Sequence, residues 1–389
     1  MRIVIVGGGV IGSSIAFHLA SHPKFAGSVT VIERDPLYAR ASSALSASSV
    51  RQQFSTGVNI AMSQYGFAFL RDAGDILAVA GDKPAIGLRE TGYLYLASAT
   101  GPDALRENNV TQRALGADVV LLQPDAIVAR FPWLCTEGVA LGALGLSGEG
   151  SFDGPALLHA FRRKARSLGV AYVAQDAVGL ACDANRVVGV TLADGSTMDC
   201  DIAVNAAGPW AARVAQMAGI ALPVRARRRM VFVIACRAQL PDCPLVIDPS
   251  GIWFRAEGTC FLTGRCPGEG EDDPDEVALD VDEAMFHERI WPVLAERVPA
   301  FESLKLASSW AGYYEMNVFD HNAVIGAHPA FPNLIFANGF SGHGMQHSPA
   351  AGRGVAELIL EGGFTSLDLS PLGFARVLEN RPLLERNVV

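Results

Sequence analysis

Three glycines (Gly7, Gly9, Gly12), an acid at Glu33, an arginine at Arg51 and two histidines (His343, His347) are the residues whose types and spacing could do chemistry. The glycines follow an apolar run in GxGxxG spacing, which suits backbone cradling of a pyrophosphate. Gly7 permits a tight turn, Gly9 lets the backbone approach the phosphates, and Gly12 lets a helix pack closely on the preceding strand. Glu33 stands about twenty residues beyond the last glycine, where a carboxylate can accept hydrogen bonds from an adenosine ribose. That acid would repel a 2′-phosphate, which argues against NADP. His343 and His347 could be acid–base groups, and a structural hydrogen-bonding role is weighed equally.

The elements that must position these groups are legible around them. Arg2 to Val6 reads as a strand, Val10 to Ser21 as a helix whose N-terminus faces the phosphates, and Val29 to Ile32 as the next strand. Near the other end, Leu334 to Ala337 reads as a strand running into the glycine-rich loop GFSGHG. There Ser348 is the expected N-cap, Pro349 the first helical residue and Gly362 the stop. A helix N-terminus in that place would stabilise an anion or a developing negative charge.

The intervening chain supplies a loop rich in small hydroxyl residues, Ala39 to Ser55, whose composition suits contact with a ligand. Helices are expected over Thr56 to Ala73, stopping at Gly74, within Gln123 to Leu134, and over Ser151 to Gly169 with Asp153 as N-cap. Glu90 to Ala97, Val187 to Leu192, Thr197 to Cys200, Ile202 to Asn205, Met230 to Ala235 and Cys260 to Thr263 read as strands, with GIWFR (Gly251 to Arg255) between the last two. The cluster Arg225, Arg227, Arg228, Arg229 reads as a solvated or acid-paired face rather than a binding patch, and Glu269 to Glu276 as an exposed acidic loop.

At 389 residues, half of them hydrophobic, the chain can bury a large core and allows two or three domains. A net charge of −9 leaves no basic footprint for nucleic acid. Seven scattered cysteines without a CxxC pair suggest neither a disulfide framework nor a zinc site. Met1 directly precedes the first strand and no apolar stretch reaches membrane-spanning length, so the expected location is the cytoplasm and the expected partner a small molecule.

Together GGGVIG…VIER, NAAGPW and GFSGHG resemble the D-amino-acid oxidase/sarcosine oxidase superfamily of FAD-dependent amine oxidoreductases, and the resemblance covers the whole chain. It implies an α/β Rossmann-like FAD domain (1–85, 150–222, 320–389) interleaved with a substrate domain built on an antiparallel sheet (86–149, 223–319). The cofactor contacts it implies are Gly7, Gly9, Val10, Ile11, Gly12, Glu33 and Arg34; Ser42 and Ser43; Ala206, Gly208 and Trp210; and Gly339, Gly342, His343, Gly344, Met345 and Gln346. Members that bond FAD covalently use a cysteine in the segment matching WAGYYE, where this chain has Tyr313 and Tyr314, or a histidine in the region matching Ala41 to Ser49, where it has none. The FAD is therefore expected to be non-covalent.

The same resemblance places a substrate-carboxylate arginine at Arg51, the position of its lysine partner at Gln346, and an oxygen-activating lysine near Arg255. Arg51, Tyr314, His343, Gln346 and Arg255 are thus the expected substrate-side residues. The implied activity is oxidation of the C–N bond of a small amine, most consistent with a secondary or N-methylated amino acid, by hydride transfer to flavin N5 and hydrolysis of the imine. The electron acceptor stays open between a quinone, a flavoprotein and oxygen. Oxidation of a 2-hydroxy acid and a flavin-stabilised scaffold without turnover are the other readings.

Overall fold

The computed structural model describes residues 1–268, 271 and 273–386. The strand Arg2–Val6 lies inside a six-stranded sheet, between Ile202–Asn205 and Ser28–Ile32. Beyond these lie Phe331–Asn338 and Val324–His328 on one side and Ala171–Val173 on the other. Every pairing is parallel except that of the two strands at the C-terminal edge.

The period of two decides what each side chain of the central strand meets. Ile3 and Ile5 enter a core with the helices Val10–Ser21, Gly154–Ser167 and Gly344–Glu361. Val4 and Val6 enter a second core on the opposite face. There a three-stranded antiparallel sheet (Ala177–Asp183, Arg186–Leu192, Thr197–Asp199) contributes Val187 and Val190. Asp153 caps the middle helix as expected, its Oδ1 accepting from the Ala156 amide at 2.9 Å.

A second, eight-stranded sheet runs in the order Lys305–Asn317, Val224–Ala235, Cys260–Arg265, Ile252–Glu257, Leu245–Ile247, Tyr93–Ala97, Leu141–Gly145, Val119–Leu122. It is antiparallel apart from the junction of Leu245–Ile247 with Tyr93–Ala97. Alternation again divides its residues. Leu94, Leu96, Phe232 and Phe254 pack beneath the helical segment 283–303, while Tyr93, Tyr95, Val231 and Trp253 turn the other way, toward Phe54 and Ile60.

Several boundaries differ from the sequence reading. The arginine cluster lies within the strand Val224–Ala235, and Ile252–Glu257 is a strand in its own right. The helix after the hydroxyl loop is Gly57–Ile76, so Gly74 lies inside it. Of the acidic run, Glu269, Gly270 and Asp272 lie outside the described residues, and Asp273 is not exposed but forks Arg229 at 2.8 Å twice.

The C-terminal helix starts at Gly344, ahead of the expected Ser348 cap, with Pro349 inside it. Proline removes the N–H that would reach the Met345 carbonyl, and the Ser348 hydroxyl takes that acceptor at 2.9 Å. The hydroxyl read as a cap instead lets the helix begin one turn earlier.

Candidate FAD and substrate site

A cavity of about 770 Å³ runs from the glycine turn to the cavity-facing side of the eight-stranded sheet. At one end Gly7 adopts φ +104°, and a Cβ there would come within 2.3 Å of the Ala206 carbonyl. A Cβ on Gly12 would meet the Gly7 carbonyl at 1.9 Å, so the turn and helix are packed backbone to backbone. Glu33 is fixed from both sides: Oε2 accepts from the Gly8 amide at 2.8 Å and Oε1 from the Asp35 amide at 2.9 Å. Burial nonetheless raises its pKa against those two bonds.

Ser43 Oγ accepts from the Val10 amide at 3.3 Å, tying the hydroxyl loop to the helix N-terminus. The Arg34 guanidinium lies 3.7 Å from the centre of the Trp210 ring. Arg34 Nη2, Tyr38 Oη and Ser42 Oγ are buried and have no partner among the described residues. Unsatisfied polar atoms around a glycine cradle are what a bound dinucleotide would pair.

The other end is made of side chains. Arg51, 5% exposed, lays its guanidinium 4.0 Å from the centre of the Phe54 ring and donates to the Gln53 carbonyl at 2.7 Å. Tyr93, Trp253, Tyr313 and Tyr314 line the space around it. Tyr314 fits because residue 342 is glycine: a Cβ on Gly342, whose φ is +90°, would fall 1.9 Å from the tyrosine hydroxyl. Burial lifts the Tyr314 pKa far above the usual phenol value, so the hydroxyl stays protonated. Burial, with the Arg51 charge next, lowers the His343 pKa well below its ordinary value and keeps the ring neutral.

Of the residues expected from sequence, all line the cavity except Gly12, Gly339, Arg255 and His347. Gly12 and Gly339 act through packing; a Cβ on the latter would press on Val224 and Asn317. Arg255 lies behind the wall, donating to the Ala47 carbonyl at 2.6 Å and to the Glu257 carboxylate. His347 is also outside it, its Nε2 2.9 Å from the Ser63 hydroxyl. Gln346 Oε1 accepts from the Arg51 backbone amide at 2.7 Å, so it holds the arginine's main chain.

Among the lining residues that the sequence does not single out, Tyr93 and Trp253 are joined by two charged ones, Arg229 and Glu315. Arg229 belongs to the cluster read as a solvated or acid-paired face; it is acid-paired, to Asp273, and it also lines the cavity, on the side of the strand opposite Arg228. Glu315 carries a buried Oε2 without a partner among the described residues, and burial pushes its pKa up to about 7. Its position beside Tyr314 in sequence was the only available signal.

A family model described as FAD dependent oxidoreductase (DAO) matches residues 2–358. The chain belongs to that family. Among relatives of this FAD-dependent oxidoreductase, FAD-dependent oxidoreductase domain-containing protein 1 of Xenopus laevis is 46% identical over 423 residues, covering 100% of this chain and 84% of the relative. Among solved structures, L-proline dehydrogenase from P. horikoshii superposes with a TM-score of 0.86 at 25% identity, covering 98% of both chains. Glycine oxidase from Geobacillus kaustophilus gives 0.82 at 25% identity over 96% of this chain and 99% of that one. FAD is thus the dinucleotide that the cradle fits. Among the described residues no helix is long and apolar enough to cross a membrane, and no cluster of ligating side chains could hold a metal.

Proposed function

We propose that this oxidoreductase removes a hydride from the carbon next to the nitrogen of a small secondary or N-methylated amino acid, giving an imine that water hydrolyses. The observation that carries this reading is Arg51, a buried cation in a cavity wall shared with Tyr93, Trp253, Tyr313 and Tyr314, where another lining cation, Arg229, is taken by Asp273. A guanidinium there pairs with a carboxylate in two parallel bonds and so fixes the substrate's orientation. Its charge also disfavours an ammonium nearby, which keeps the substrate amine neutral with its lone pair available to drive hydride departure. The protonated Tyr314 hydroxyl donates, the neutral His343 ring adds no charge, and the aromatic walls exclude water. FAD, when bound, supplies the hydride acceptor.

The test is anaerobic mixing with N-methylglycine, glycine and L-proline while the flavin absorption is followed. Bleaching by at least one is expected. Bleaching by 2-hydroxy acids alone would replace the amine reading, and no bleaching by any small molecule would favour a flavoprotein without turnover.

Electrons are proposed to leave to a quinone or another flavoprotein faster than to oxygen. Oxygen reduction is helped by a compact cation near the flavin, and Arg255 spends its fork on Glu257 and the Ala47 carbonyl. Stopped-flow reoxidation by an artificial quinone should outpace air-saturated buffer; the reverse order would overturn the proposal.

A further inference from the structure

The segment that carries Arg51 belongs to no sheet or helix until Gly57, and all six of its backbone amides are nevertheless occupied. Arg51 N goes to the Gln346 side chain, and Phe54 N to the Gln52 carbonyl at 2.8 Å. The remaining four are taken by two fully buried carboxylates from distant parts of the sequence. Glu149 Oε1 accepts from Gln52 N at 2.6 Å and Gln53 N at 3.1 Å, while its Oε2 accepts from Gln53 Nε2 at 2.9 Å. Glu385 Oε1 accepts from Ser55 N and Oγ at 2.8 and 2.6 Å. Its Oε2 accepts from Thr56 N, Thr56 Oγ1 and Asn59 Nδ2 at 3.1, 2.8 and 3.0 Å.

Glu385 is itself anchored to the turn that follows the Tyr314 strand. Its amide donates to the Asp320 carbonyl at 3.0 Å, and Leu383 N donates to Asp320 Oδ2 at 3.1 Å. Asn322 Nδ2 reaches the Leu383 carbonyl at 2.5 Å, and Asn322 Oδ1 accepts from Asn59 Nδ2 at 2.6 Å. The C-terminal segment is therefore stitched on one side to the strand bearing Tyr314 and on the other to the stretch bearing Arg51.

We infer that Glu385, acting with Glu149, is a positioning residue that sets where the Arg51 guanidinium meets the substrate carboxylate. In a stretch without ladder hydrogen bonds these carboxylates hold four of the six amides, and charge-assisted bonds to backbone N–H groups are the strong kind. Displacements on the order of 1 Å at such a group are worth about 10²-fold in rate. The inference rests on the amine reading above, and the experiment separates the two.

Wild type, Arg51→Ala, Glu385→Ala and the double variant are compared with whichever of N-methylglycine, glycine and L-proline reduces the wild type. Flavin content is measured alongside. Glu385→Ala should raise KM about tenfold or more with little change in kcat. The double variant should be no worse than Arg51→Ala, because both act on one contact. Effects that multiply, or a Glu385→Ala enzyme with unchanged KM, would overturn the inference while leaving the substrate reading standing. If Glu385→Ala does not fold, Thr56→Ala removes one donor; a smaller rise in KM supports the inference and an unchanged KM overturns it. An Arg51→Ala enzyme of normal KM, or a wild type reduced by none of the three, overturns the substrate reading and this inference with it.

Discussion

The cofactor end and the substrate end of the cavity are built from different materials. The cofactor end is largely backbone, a glycine turn, two helix N-termini and one acid held by two amides, with the Arg34, Tyr38 and Ser42 side chains around it. The substrate end is side chains projected from a sheet whose strands come from residues 93 to 317, with Arg51 held by residues about 100 and 330 positions away. Backbone recognition demands glycines at fixed spacing and tolerates little else. Side-chain recognition lets each wall position change singly, so one scaffold can serve different amines.

The largest effect should come from breaking the backbone end. In Gly12→Val the new side chain would collide with the Gly7 carbonyl, and no flexible side chain can give way. The purified variant should lack flavin absorbance altogether, whereas wild-type flavin should separate from the protein on acid precipitation. Flavin that stays with the precipitate would contradict non-covalent attachment.

Breaking the substrate end should spare the flavin. Arg51→Ala is expected to cost about 2–5 kcal/mol in kcat/KM with normal FAD content, the scale for losing one member of a buried charge pair. If flavin is lost instead, Arg51 is structural. Tyr314→Phe keeps the ring and deletes the hydroxyl that lies against Gly342, so about 0.5–1.5 kcal/mol in kcat/KM is expected. A loss as large as that of Arg51→Ala would make the hydroxyl a catalytic group.

The smallest effect concerns stability. Burial raises the Glu149 pKa from 4.5 to about 7, so between those values the folded chain holds a proton that the unfolded chain has released. Stability from this group is present below pH 4.5 and declines as pH rises through about 7. Glu149→Gln should flatten that part of the pH profile of the melting temperature; an unchanged slope would assign it to other groups.

The sequence showed the cofactor end well because it is local. Two strands, one turn and one helix within 33 residues carry its glycine-and-acid pattern. The same locality misled at Ser348, where a serine–proline pair resembles a helix start. Only the structure reveals the serine hydroxyl replacing the bond that proline removes. Arg229 is acid-paired as the cluster suggests, but its place in the cavity is hidden, because Arg225 and Arg227 share its face of the strand and point to acids at the surface. The Glu385 bonds were beyond reach for another reason: nothing in residues 383–386 announces that they meet a segment 330 positions earlier.

The placement of the first strand also governs how the molecule is made. Of the strands in this sheet Arg2–Val6 is made first, yet its neighbour Ile202–Asn205 follows about 200 residues later, and the Phe331–Asn338 strand beside that one is later still. Ser28–Ile32 can pair with one edge of Arg2–Val6 early, while the other edge waits about 200 residues for its native neighbour. Long-range parallel pairing is slow and leaves unpaired edges open to aggregation. Refolding of the full chain is expected to be concentration-sensitive, and chaperone dependence follows from the same strand order that builds the cofactor cradle.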